Sequence, residues 1–76
     1  MNEQFTYNRT WVEIEEMLDE AERKQNHHSI EMSKKIPKKK RIFHMRQFKG
    51  LEGVINSLRF VLGDKRMTRE KVLGEE

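Results

Sequence analysis

The side chains that could hold a metal ion are His27, His28 and His44, with Asp19 and Glu22 as nearby acids. A transition-metal site needs three or four converging N, S or O donors. The chain has no Cys, no H-x-x-x-H spacing that would put two imidazoles on one helix face, and no H-E-x-x-H. The histidines therefore read as ordinary polar residues. Ser29, Ser33 and Ser57 stand in no strand–turn–helix elbow, so none reads as a nucleophile. The acids Glu13 to Glu16 fall on a solvated helix face, without the burial that general acid–base work exploits. Gly50-Leu51-Glu52-Gly53 follows no strand, which excludes a phosphate loop. With 76 residues there is also little room for a water-excluding pocket. The expectation is a protein that is not an enzyme and takes no cofactor and no metal.

The charge distribution points instead to binding. Residues 1–20 carry six acids against Arg9, residues 21–50 carry ten bases against Glu22 and Glu31, and residues 51–76 carry five of each. Within the basic third, Lys34, Lys35, Lys38, Lys39, Lys40, Arg41 and Arg46 crowd around Pro37 with no acid between them. Phe43, His44 and Phe48 follow closely. Such a cluster projects its field over about a Debye length, ~8 Å at physiological salt, and steers acidic partners. Five of the seven bases are Lys, whose compact and strongly hydrated charge suits steering better than bidentate recognition. Bases beside aromatics also suit phosphate contact with base stacking, so nucleic acid is the alternative partner.

These groups are positioned by helices. Helix formers dominate, and alternation of β-branched residues is rare. Thr10 and Glu13 form a T-x-x-E capping box that opens a first helix over residues 10–35. Trp11, Ile14, Leu18, Ala21, Gln25, His28 and Met32 then recur at spacings of three and four, which is one helix face, with Trp11 as the expected core anchor. The weak helix formers of residues 26–29 could end this helix early; otherwise Pro37 stops it by about Ile36. After a connection at 36–38, a second helix is expected over 39–62, capped by Gly63 in the left-handed conformation. Its broad apolar face holds Phe43, His44, Gln47, Phe48, Leu51, Val54, Ile55, Leu58, Val61 and Leu62. Gly50, Gly53 and Ser57 make a small-residue strip beside it, which serves close helix approach or marks a break at Gly50. Thr68 caps a short last helix at 68–73, with Met67 and Val72 as a hydrophobic staple. The segment 1–9 and the Gly74-Glu75-Glu76 end are expected to be flexible.

The fold class is therefore all-α: an antiparallel helical hairpin with a short C-terminal helix in one small domain. The short connection favours antiparallel neighbours. A two-helix chain of this composition buries little apolar surface by itself, so self-association is expected, most simply a homodimer forming a helical bundle. Ile42, Met45 and Phe60 lie off the main apolar face of the second helix, near Gly53, and are the expected dimer or partner surface. The longest apolar run is Phe60-Val61-Leu62, so no membrane span is expected. The absence of Cys and of a secretory h-region in residues 1–10 favours the cytoplasm.

The run Phe48-Lys49-Gly50-Leu51-Glu52-Gly53-Val54-Ile55-Asn56-Ser57-Leu58-Arg59-Phe60-Val61-Leu62-Gly63-Asp64 resembles a segment of small uncharacterised proteins of bacteriophages and prophages of Gram-positive bacteria. It covers about a quarter of the chain. The resemblance implies a phage accessory protein that binds and redirects a host factor in the host cytoplasm, a regulator or inhibitor. It carries no functional residues across.

Overall fold

The computed structural model describes residues 9–74, which fold as α1 (Trp11–Met32), α2 (Lys38–Val61) and α3 (Arg69–Leu73), with no strand among the described residues. The segments 1–8 and 75–76, where flexible ends are expected, lie outside the described residues. The long helices pack against each other, and the third packs on the second. Their contacts run in opposite senses: Glu22 meets Arg59, Gln25 meets Phe48 and His28 meets His44. The pair is thus an antiparallel hairpin, and the molecule is an elongated body of 48 × 28 × 23 Å.

Local chemistry explains each boundary. Thr10 Oγ1 accepts from the Glu13 amide at 3.1 Å while Glu13 Oε2 accepts from the Thr10 amide at 3.4 Å, so two otherwise orphaned amides are satisfied reciprocally. Residues 26–29 do not end α1; it runs on to Met32 and closes where the Ser33 hydroxyl donates to the Ile30 carbonyl. Favourable tertiary contact by Gln25 and His28 outweighs the weak propensity of Asn26, His27 and Ser29. Pro37 stands at the N-cap of α2, its ring fixing φ at −58° ahead of the first turn. At the other end the Asp64 amide donates to Arg59 O at 2.9 Å and the Gly63 amide to Phe60 O at 3.1 Å. Gly63 has φ +86°, which completes a Schellman motif that a residue with a Cβ would strain. The chain then turns on Asp64, whose carboxylate accepts from the Arg66 amide at 2.9 Å, and Thr68 caps α3 by accepting from the Lys71 amide at 3.1 Å.

Gly50 and Gly53 sit inside α2 without breaking it, and a Cβ at either would meet nothing within 4 Å. The close approach that could justify these glycines is therefore not between α1 and α2.

Among the described residues only Ala21 and Ile55 are buried, with Ile14, Leu18, Phe48, Leu51, Leu58 and Leu62 half-buried around them. Trp11 is not the expected core anchor: it is 63% exposed. It occupies the first turn of α1, level with the point where α2 ends at Val61 and the chain turns off at Gly63, so no helix lies beside it to cover the indole.

Candidate binding surfaces

The seven bases of the connection are all exposed at one tip of the hairpin: Lys34 and Lys35 in the turn, Lys38, Lys39, Lys40 and Arg41 in the first turn of α2, and Arg46 one turn on. Lys34 reaches Glu31 at 2.8 Å, and the hydrogen-bonded ammonium holds that carboxylate below its usual range. Among the described residues the other six have no carboxylate partner. The first turn of α2 has no side-chain cap and no acid. Its free amides and the positive end of the helix dipole point the same way as four consecutive cations. Each of these terms opposes the helix, and together they make a positive pole.

Four rings stand behind that pole. His28 Nδ1 and His44 Nδ1 are 2.8 Å apart, joining α1 to α2, while His27 and Phe43 lie edge-on to them at centroid distances of 5.2–6.3 Å. At this separation one imidazole donates and the other accepts, so at least one ring is neutral. Burial holds the His28 pKa below its ordinary value, followed by the charges of His44 and His27, with Glu31 pulling the other way. Both rings lie on the apolar stripes of their helices, but their contact depends on how the two stripes are matched along the hairpin, which neither periodicity contains. Among the described residues no three His, Cys, Asp or Glu side chains converge as a metal site would require.

The two flanks of the hairpin differ. On one, the Arg59 guanidinium donates to Glu22 across the helices, closing that side with a partly shielded ion pair. On the other runs an open apolar groove. Its depressions of about 560 and 240 Å³ share Met17 as a common wall; Ile14, Leu58 and Val61 line one, and Ala21, Leu51 and Val54 the other. Met17, Val61 and Val54 are 55%, 51% and 36% exposed. The signal for this groove was present in the sequence as the width of the α2 stripe, which spans more of the helix than one neighbour can cover.

Met45 is on the flank away from that groove, and Ile42, Gly53 and Phe60 share the outward face of α2. Ile42 is half-buried, Met45 and Phe60 are exposed, and Gly53 is open. Ile42 and Phe60 are separated by five helical turns, ~27 Å at 1.5 Å per residue. Phe60 belongs instead to a small depression with Arg69, Val72 and Leu73 of α3. The structure does not gather these residues into one apolar surface.

No helix among the described residues is long and apolar enough to cross a membrane. No protein family, curated protein or solved structure matches the chain.

Proposed function

We propose that this protein is a small non-enzymatic regulator that acts by docking the positive pole of its hairpin onto an acidic surface of a protein partner. The observation that supports this reading is the first turn of α2, where Lys38, Lys39, Lys40 and Arg41 are added to the positive end of a helix dipole with no cap and no acid to offset them. An anionic surface relieves both penalties at once, and the desolvated contact gains from each. The lysines set the association rate through their field, and the exposed apolar residues beside them supply the contact. In the phage setting that the Phe48–Asp64 run implies, the partner is a host factor in the host cytoplasm, and the regulator is an inhibitor.

The test is capture from a host lysate with and without nuclease, using the native chain and the triple variant Lys38→Gln, Lys39→Gln, Lys40→Gln. A discrete protein retained after nuclease, and bound more slowly by the triple variant with a flatter salt dependence, supports the reading. A protein captured equally fast by the variant at every salt concentration removes the pole from the function.

The second reading, nucleic-acid binding by residues 34–46, rests on Phe43, which is 53% exposed beside the pole and could stack on a base. It requires capture to vanish with nuclease and affinity to fall linearly with log salt concentration as counterions are released.

A further inference from the structure

The apolar groove has a pattern that identifies its occupant. Val54 and Val61 line it from α2, and helical spacing continues them into a stripe of Phe43, Gln47, Gly50, Val54, Ser57 and Val61, at spacings of four, three, four, three and four. This is a second helical stripe, parallel to the one that faces α1. The spacing reads the same in both directions. Laid against itself end for end, the stripe places Phe43 opposite Val61, Gln47 opposite Ser57, and Gly50 opposite Val54. Each pairing is chemically matched: apolar with apolar, amide with hydroxyl, and a residue without a side chain against a branched one. Gly50 costs α2 about as much as any non-proline residue can, and nothing in the hairpin uses the space it leaves. A Val54 side chain from a second helix would fill it.

We infer that a second copy of this chain, turned end for end, covers the groove, giving an antiparallel four-helix dimer with α2 crossing its counterpart near Gly50.

Charge selects the orientation. A copy laid on the groove in the same direction would bring two poles of seven bases each to the same tip. The reversed copy sends them to opposite tips. Reversal also lays Glu13, Glu16 and Glu20, on the acidic first half of α1, over the second half of the other α1. Lys24 stands there on the groove flank, paired with Glu20 of its own helix, while Glu13 is held by Arg9 and Glu31 by Lys34, so these charges can exchange partners across the seam. The interface is isologous, as a two-fold dimer requires. It occupies the flank opposite Met45, and it takes Phe43 out of solvent, which removes the platform a nucleic-acid reading would use. Each tip of the dimer then presents one positive pole.

Sedimentation equilibrium and oxidative cross-linking test this on the full chain. The native protein should sediment as a dimer at micromolar concentration, Val54→Glu should raise its dissociation constant at least 100-fold, and Met45→Glu on the opposite flank should leave it within about 3-fold. The chain has no cysteine, so Phe43→Cys and Val61→Cys proteins can be mixed and oxidised directly. The reversed seam gives the mixed disulfide in preference to either homodimer. A folded native monomer, a dimer that survives Val54→Glu, or homodisulfides at the level of the mixed product would each overturn the inference. The cross-link decides the matter even where Val54→Glu fails to fold, because it probes single changes at exposed positions.

Discussion

The two ends of this hairpin are built on opposite principles. At the open end α1 begins with a reciprocal capping box, α2 finishes in a Schellman motif, and Glu22 and Arg59 tie the helices together above the buried pair Ala21 and Ile55. The Thr10 and Glu13 amides and the Arg59 and Phe60 carbonyls, which the helix ends would leave open, are each hydrogen-bonded there. At the connection end α2 starts without a side-chain cap on four consecutive cations, and the helices meet through two imidazoles whose joint protonation the geometry forbids. Stability is concentrated at one end and left uncompensated at the other. A helix that tolerates repulsion at its own first turn gains from whatever anion later covers it, so the less stable end is the one to assign to binding.

Truncation should expose the contrast most strongly. Ile55, 3% exposed, is the better buried of the two core residues. Ile55→Ala should cost ~2–3 kcal/mol in urea unfolding, the lower part of the range for such changes because its neighbours are half-exposed and can relax into the space. Met32→Ala, removing a half-buried side chain near the connection, should cost about half as much or less. Equal losses would mean that packing is uniform along the hairpin and that the contrast between the ends lies in electrostatics alone.

Neutralising the pole should act in the reverse direction to most substitutions. Replacing Lys38, Lys39 and Lys40 with Gln removes three cations from the positive end of a dipole, each worth ~0.3–1 kcal/mol at low salt. The triple variant should therefore be more stable than the native chain by ~1–2 kcal/mol in thermal or urea unfolding, and the gain should shrink as salt screens the native repulsion. A variant that is destabilised would show that the lysines hold the fold, and the pole could no longer be read as a cost carried for function.

Much of this architecture is legible residue by residue. Thr10 with Glu13, Gly63 and Thr68 announce their caps, because a cap is a local arrangement of three or four residues and its chemistry is carried by side-chain type. The stripes of α1 and α2 are legible for the same reason, and the short connection at Pro37 makes them antiparallel. What depends on the other helix is not. Trp11 has the spacing of a core residue and lies outside the core because α2 ends level with it. His28 and His44 each sit on an apolar face, and only the register of one helix on the other turns them into a pair. Ile42 and Phe60 share an angular position on α2 but are five turns apart, so a helical wheel, which discards the axial coordinate, joins what the rod separates. The groove beside Met17 is the intermediate case, since the width of the α2 face implies it but only the placement of α1 shows which edge stays bare.

The smallest expected effect is the dependence of stability on pH. His28 has a folded-state pKa below its ordinary value of 6.5, through burial and then the charges of His44 and His27. Above that value both folded and unfolded chains carry it neutral, and its contribution is fully present. As the pH falls below 6.5 the unfolded chain takes up a proton that the folded chain resists, so folding loses free energy until the lowered pKa is passed. Asp64, beside the Schellman turn at the opposite end, is held at about 2 by hydrogen bonds from the Arg66 guanidinium and amide, against an ordinary 3.8. Its contribution is lost as the pH falls from about 4 towards 2. Urea midpoints measured from pH 8 to 2 should therefore begin to fall below 6.5 and fall further below about 4.5, where Glu31 and then Asp64 take up protons. His44→Phe removes the facing imidazole but keeps the burial, so it should shrink the upper fall in part and leave the lower one in place, whereas Asp64→Asn should shrink the lower fall, leaving the share of Glu31, and leave the upper one in place. An upper fall that survives in the His44→Phe variant at full size would mean that the contact across the helices contributes nothing to the lowered His28 pKa and that burial alone causes it.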